Sequence, residues 1–378
     1  MDFAISKEQK QYQQEIIDFS RKYLNEEECL ECFSVEMWKK FAEFGLLGIT
    51  VDEKYGGMGE GYLTAALAFK ALGYACKNNG FVFVVNNHIW VAQNIIHLYG
   101  SELLRDKYIP FMVQGGKIGA IAITEAESGS DALSMKTKAD AVEGGYILNG
   151  TKMFISNGPI ADIFIVFAVT DWEANKITAF VVEKNYAGLS IGPDIKKMGL
   201  NACPTSEIVF ENVFVPNENI IGRQNSGLNV LTRALEWERF YEFVPHVGAM
   251  ERVLELCLEH AKKRKQFGKP IKEYQAISHK IAEMKVDIEF ANLMLNKIGW
   301  LKDKNRSAYL ETAMFKLFVS EAYIKTCRNA IQIFGAYGYT KEYDVERELR
   351  DAIASSIYSG TNEMQKNTIY EMIDMQYI

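Results

Sequence analysis

The sequence predicts an α+β fold in which helices, strands and helices occupy three successive blocks, and three observations predict it. Apolar residues recur at helical spacing in the first third, break into short β-branched and aromatic runs in the middle third, and return to long periodic segments in the last. No alternating strand–helix rhythm runs through the chain, which argues against a doubly wound sheet. At 378 residues the chain is also long for a single core, since an ordinary domain takes about 150 residues. The blocks divide it into units at 1–117, 118–222 and 223–378.

In the first unit, Met37, Phe41 and Phe44 mark one helix and Leu63, Ala66, Phe69 and Leu72 another, with Gly and Asn breaks between them. The middle unit contains the runs IGAIAI, GYILNGTKMFIS, IFIVFAV, ITAFVVE and EIVFENVFV, read as antiparallel strands. Pro110, Pro159, Pro193, Pro204 and Pro216 fall in or beside them as turn residues. In the third unit a helix begins near Leu228 and is expected to kink at Pro245, which removes a backbone donor. A long helix is expected to close at Gly268 and Pro270, and Gly335 and Gly338 mark a further break.

With 48% hydrophobic and 24% charged residues the chain has ample material for folded cores, and disorder is excluded. A formal charge of −7 gives no pull toward nucleic acid or anionic lipid. The opening MDFAISKEQKQYQQEI lacks a basic and then apolar leader, and no long apolar run follows, so a cytoplasmic protein is expected. Six scattered cysteines fit a reducing compartment. Cys29 and Cys32 form a CxxC without a second pair or a nearby histidine, so no metal site is expected and both are read as ordinary helix positions.

The common phosphate, acyl-hydrolase and zinc signatures are absent, and the five histidines are dispersed. Five segments that break local rules therefore hold the candidates. Thr124 to Asp131 is a small polar loop after an apolar strand; Gly129 permits a backbone whose N–H groups face an anion, and a plain strand-end loop is the other reading. Phe154 and Ser156 place an aromatic and a hydroxyl at a strand end, suited either to a planar heterocycle or to the core. Arg264, in KKRKQFGKP, is either a pyrophosphate clamp or one of several cations complementing a helix end. Glu238 shares a helical stripe with Leu231 and Leu235, where a carboxylate is costly unless paired with Arg239 or chemically used. Ser359-Gly360-Thr361 interrupts two helical runs, and N–H groups at such a helix start can hold a phosphate or a carbonyl oxygen.

Taken in order, AITEAESGSD (Ala122 to Asp131), GTKMFISNG (Gly150 to Gly158), KMGLNACPTSEIVFENVFVP (Lys197 to Pro216), RKQFGKPIKEYQ (Arg264 to Gln275), QIFGAYGY (Gln332 to Tyr339) and IYSGTNEMQ (Ile357 to Gln365) resemble the acyl-CoA dehydrogenase family of flavoproteins over almost the whole chain. The resemblance implies an N-terminal helical domain, a middle β-barrel-like domain and a C-terminal four-helix bundle. It implies FAD, with Ile123, Thr124, Phe154 and Ser156 at the flavin ring and Ser130 near the cofactor and substrate phosphates. Arg264, Phe267, Gln275, Gln332 and Gly335 would hold the ADP half from a neighbouring subunit, with Thr361 adding a contact, and a homotetramer is expected. Ala336 stands where many members have a second glycine.

A larger departure is Ser359, at the position where most relatives carry the catalytic glutamate. A minority branch carries it immediately before an arginine on an earlier helix, and Glu238-Arg239 matches that placement. The resemblance then makes Glu238 the base for an acyl-thioester α-proton, and the Ser359 backbone N–H part of the oxyanion site. Arg239, Tyr241, Tyr358 and Ser130 would line the substrate. PIADIF, NACPTSE, the Trp237–Arg239 triplet and SGTNEMQ further resemble dehydrogenases of natural-product pathways whose prolyl or short acyl group rides on a carrier protein. The expected acceptor is an electron-transfer flavoprotein or another oxidant. The alternatives are a β-oxidation-type enzyme using free acyl-CoA, a flavin oxidase or monooxygenase, and a catalytically inactive flavin-binding protein.

Overall fold

A computed structural model describes residues 5–377. Met1–Ala4, part of the opening segment read for a leader, and Ile378 lie outside the described residues. The first unit is helical: α1 (Lys7–Tyr23), α2 (Val35–Glu43), α3 (Tyr62–Ala75), α4 (Asn79–Asn86), a π-helical stretch Asn87–Gln93, α5 (Asn94–Tyr99) and α6 (Glu102–Val113). Ser6 and Gln9 close α1 with a reciprocal capping box, and Ser34 and Ser101 cap α2 and α6.

The middle unit is a sheet of eight strands: β1 (Gly119–Ala122), β2 (Lys138–Val142), β3 (Gly145–Ser156), β4 (Ile163–Asp171), β5 (Lys176–Glu183), β6 (Leu189–Ile191), β7 (Thr205–Pro216) and β8 (Ile220–Ile221), in the order β6-β7-β3-β2-β4-β5-β8 with β1 on β4. Most pairs are antiparallel as expected. Two pairs depart from this: β1 runs parallel to β4 in the register Gly119↔Ile163 to Ala122↔Val166, because it enters from α6 instead of from a hairpin, and β2 meets β4 in parallel at Lys138↔Val169. The apolar run IFIVFAV is buried on both faces of β4: Phe164, Val166 and Ala168 pack with Phe180 and Phe210, while Ile163, Ile165 and Phe167 pack against Ile95, Tyr108 and Leu231 from helices.

The third unit holds α7 (Gly227–Tyr241), α8 (Val244–Lys263), the two-residue strands β9 (Lys265–Gln266) and β10 (Lys269–Pro270), α9 (Gln275–Asp303), α10 (Tyr309–Phe334), α11 (Val345–Ala354) and α12 (Asn362–Tyr377). α10 packs against α7, α8, α9 and α12, α8 also packs on α9, and α3 crosses α8 closely. A Cβ on Gly73 would meet the Pro245 carbonyl oxygen at 2.0 Å and one on Gly248 would meet that of Lys70 at 2.0 Å, so both positions require glycine.

Two other readings change. Pro245 does not kink one helix: α7 ends at Tyr241 and Pro245 sits in the first turn of α8, where its missing N–H costs nothing. The Tyr241 carbonyl, left without a helical donor, accepts the Asn86 side-chain amide at 3.1 Å. Nor do Gly268 and Pro270 close a helix: α8 stops at Lys263, and Phe267 (φ 51°) and Gly268 (φ 82°) turn a tight hairpin between β9 and β10. Cys29 ends a short 3₁₀ turn and Cys32 follows in a loop, so the CxxC is not on a regular α-helix, and none of the six cysteines is in a disulfide.

His88 ties the first two units together. Its Nδ1 accepts the Gly119 N–H at 3.0 Å, which leaves Nε2–H to donate to the Met112 carbonyl at 3.1 Å. Burial pushes its pKa down to about 4, so the folded state binds fewer protons than the unfolded chain between that value and the ordinary one near about 6.5. Stability from this group is full above the ordinary value and is lost as pH falls toward about 4. The stability difference between wild type and His88→Gln, from melts at about pH 4 to pH 7, is expected to narrow on acidification. A constant difference would refute this assignment.

Candidate active site

The site is built where the end of α7 meets the loop before α12. Glu238, on the last turn of α7, is half-buried, and its Oε1 accepts the Ser359 hydroxyl at 2.8 Å. Burial is the largest influence on its pKa and raises it above the usual carboxylate value, while the Ser359 hydroxyl and the charges of Arg239 and Lys316 pull it back. A side chain that touches solvent yet is strongly desolvated is what lining a cleft produces. Arg239 forms no ion pair with it: the guanidinium is buried, lies 5.3 Å from the Tyr309 ring, and donates through Nε to the Ser359 carbonyl at 3.4 Å. The structural ion-pair reading of Glu238 therefore gives way.

The Ser359 loop is held by its carbonyls. Gln365 Nε2 donates to the carbonyls of Ser359 at 3.2 Å and Gly360 at 3.0 Å, and Thr361 caps α12 by accepting the Met364 N–H at 3.3 Å. Ser359 adopts a left-handed φ of 56°, uncommon outside glycine and asparagine, and its backbone N–H has no hydrogen-bond partner among the described residues. Lys316, wholly buried, supports the loop from behind through Asn362 Oδ1 at 2.7 Å, and burial lowers its pKa to about 8. Neither Lys316 nor Asn362 is a candidate from sequence, because the contact joins residues far apart in the chain.

The substrate candidates separate. Tyr358 donates its hydroxyl to His246 Nε2, and burial holds that imidazole neutral with a pKa near about 3, as an acceptor must be. Tyr241 is corrected: its ring is wholly buried, stacked on Trp90, and its hydroxyl donates to the Tyr62 carbonyl at 2.8 Å, so it supports the wall from behind instead of facing a substrate. Ser130 is exposed on its loop.

That loop is shaped by Glu125, which sequence reading passed over. Its carboxylate accepts the Thr137 N–H at 2.9 Å, the Lys136 N–H at 2.6 Å and the Lys152 ammonium at 2.8 Å, and Lys152 also reaches the Ile123 carbonyl at 2.9 Å. Gly129, credited with the loop's geometry, has no positive φ, and a Cβ there would meet nothing within 4 Å. The Thr124 carbonyl accepts the Met153 N–H at 2.8 Å, which sets Thr124 beside a bulge in β3 between Lys152 and Ile155. The bulge puts Phe154 at φ 57° with 61% of its surface exposed, and Ser156 ends the strand partly exposed.

Arg264, Phe267 and Gly335 line a second cleft of about 340 Å³ with His260, Phe334 and Tyr337. Phe267 is 95% exposed at the hairpin tip, and Arg264 lies over the Tyr337 ring at 5.6 Å. Gln275 opens α9, and both it and Gln332 are exposed. This cleft sits at the far end of α8 from the Glu238 loop, and 20 helical residues span about 30 Å. One chain does not bring the two clusters together.

Two strained, exposed aromatics beside polar loops, with an unpaired N–H on the residue whose hydroxyl holds a desolvated carboxyl, fit a flavin dinucleotide, and the fold and site define a flavin-dependent oxidoreductase acting on adjacent C–H bonds. The chain belongs to the acyl-CoA dehydrogenase family: residues 6–116, 120–213 and 225–373 match its N-terminal, middle and C-terminal domains. It is 37% identical over 382 aligned positions to the L-prolyl-[peptidyl-carrier protein] dehydrogenase of Serratia sp. (strain ATCC 39006), covering 100% of this chain and 99% of that one. Among solved structures, it superposes on the prolyl acyl carrier protein oxidase AnaB with a TM-score of 0.96 at 39% identity, over 98% of this chain and 100% of that one. PigA with FAD and proline gives a TM-score of 0.96 at 36% identity over 100% of both chains. No helix among the described residues is long and apolar enough to cross a membrane.

Proposed function

We propose that the protein dehydrogenates a prolyl group carried as a thioester on a carrier protein, with Glu238 as the base. The observation that supports this most directly is the Glu238 carboxyl, desolvated and held by the Ser359 hydroxyl where the terminal loop supplies no acid of its own. Bound FAD supplies the hydride acceptor. Ile123, Thr124, Phe154 and Ser156 would hold its ring. Arg264, Phe267, Gln275, Gln332 and Gly335 of a second copy would hold the ADP half, with Thr361 adding a contact, which makes a homo-oligomer part of the site.

Within this frame Glu238 Oε takes the α-proton, and the Ser359 N–H would donate to the thioester oxygen whose negative charge grows as the proton leaves. Arg239 and Gln365 keep that N–H in place by pinning the carbonyl of the same residue. Ser130 and Tyr358 would border the substrate. The relatives named above act on prolyl groups tethered to carriers, which favours that substrate class over free acyl-CoA. A cytoplasmic tetramer passing electrons to an electron-transfer flavoprotein or another acceptor completes the proposal.

The test compares L-prolyl-carrier protein with free L-prolyl-, butyryl- and isovaleryl-CoA, following flavin bleaching under anaerobic conditions. The carrier-bound prolyl thioester is expected to react at least about tenfold faster at limiting substrate, the scale of about 1.4 kcal/mol of transition-state preference. Equal or faster turnover of the CoA esters would overturn the carrier reading.

A further inference from the structure

A second carboxyl stands beside the base and has no protein partner. Glu242 follows Glu238 by one helical turn, so the two side chains leave the end of α7 on the same side. It is 2% exposed, and neither of its carboxyl oxygens accepts or donates a hydrogen bond. Asn86 lies close enough to favour its ionised form. The orientation of that amide is fixed, because its Nδ2 is given to the Tyr241 carbonyl that Pro245 leaves without a helical donor, and Asn86 Oδ1 is therefore left with no partner as well. The Glu242 carboxyl and Asn86 Oδ1 thus stand close together with no other partner. Such groups are costly to bury and are tolerated where a ligand completes them.

Most donors nearby are engaged elsewhere, although Arg239 Nη1 and Trp90 Nε1 are themselves unpaired. The Tyr358 hydroxyl is committed to His246, the Lys316 ammonium to Asn362, and Arg239 to the Ser359 carbonyl. Burial and the neighbouring Glu238 raise the Glu242 pKa well above the usual carboxylate value, a shift that a cation beside it would reverse. A simple aliphatic acyl chain carries neither charge nor donors and would add no partner to this pair. A secondary ammonium in a five-membered ring carries one charge and two N–H bonds.

We infer that Glu242 and Asn86 form a cradle that selects an acyl group bearing a ring ammonium next to its α-carbon, an inference that rests on the prolyl reading above and names the residues that enforce it. In a prolyl thioester the nitrogen is bonded to the very carbon that loses its proton. Holding the nitrogen one turn beyond Glu238 therefore positions the α-C–H against the base, and Glu242 is a specificity-determining residue that takes no proton from carbon.

The experiment uses FAD-loaded enzyme and two ligands of equal shape, L-prolinamide and cyclopentanecarboxamide, whose binding to wild type, Glu242→Gln and Glu242→Leu is measured by calorimetry. Wild type is expected to bind the amine about tenfold to a hundredfold more tightly, the factor a charge-assisted hydrogen bond supplies, and Glu242→Gln to bring the two within about threefold. In turnover of L-prolyl-carrier protein, Glu242→Gln is expected to raise KM and, because the α-C–H is no longer held against the base, to lower kcat as well. Glu242→Leu is expected to melt at a higher temperature than wild type while losing the amine preference, a combination that a purely structural residue would not give. No preference in wild type, or the same preference in both variants, overturns the inference. If wild type prefers the amine but fails to oxidise the prolyl thioester, the cradle stands and the proposed substrate falls.

Discussion

Replacing Glu238 with glutamine is expected to lower the rate of flavin reduction by substrate roughly 10³-fold to 10⁴-fold, the upper range for losing a positioned general base. Glutamine keeps the volume and can still accept the Ser359 hydroxyl through its carbonyl oxygen, so FAD content and melting temperature should match wild type. Ser359→Ala is the informative companion. The hydroxyl stabilises the ionised form of Glu238, and its loss raises a pKa that burial has already raised. The base works when deprotonated, so kcat/KM rises with pH through this pKa, and in Ser359→Ala that limb moves to higher pH while the plateau is nearly kept. A Glu238→Gln enzyme as fast as wild type would remove the proposed base. An inactive wild type that binds FAD would instead support a flavin-binding protein without catalysis.

The division into helical, sheet and helical units is legible in the sequence because each unit buries its apolar residues with one period. The run IFIVFAV could be placed on a strand, and its burial on both faces follows from the helices that the first and third units lay against β4. What escapes are features decided by contacts between distant residues. The RKQFGKP segment reads as a helix end because its cations suit one, whereas the hairpin requires Phe267 to accept a positive φ, which its side chain gives no sign of tolerating. Pro245 reads as a kink because the sequence does not show that Asn86, in another unit, can take over the carbonyl it strands. Glu238 is visible as an acid on an apolar stripe, yet Ser359 looks like a bare loss of an acid until the structure turns its hydroxyl onto that same carboxyl. Tyr241 shows the opposite error: it is near the site in sequence, but its ring is taken by Trp90.

Lys152→Met is expected to destabilise the protein by about 3–5 kcal/mol, the cost of leaving one partner of a buried ion pair alone. Lys152 has no exposed surface, and burial lowers its pKa to about 8, while the same contact keeps Glu125 ionised below the usual carboxylate value. Removing the ammonium leaves Glu125 with only the Lys136 and Thr137 N–H groups and frees the Ile123 carbonyl, the residue before Thr124. The Thr124–Asp131 loop should then loosen, so FAD is expected to dissociate more readily at temperatures where the fold survives. Lys152→Met combined with Glu125→Met is expected to regain much of the stability, because the unpaired charge is gone, without regaining FAD affinity, because the loop still lacks its anchor. Denaturant melts paired with flavin fluorescence separate the two effects. A Lys152→Met protein within about 1 kcal/mol of wild type would show that water reaches Glu125 and that the pair does not organise the loop.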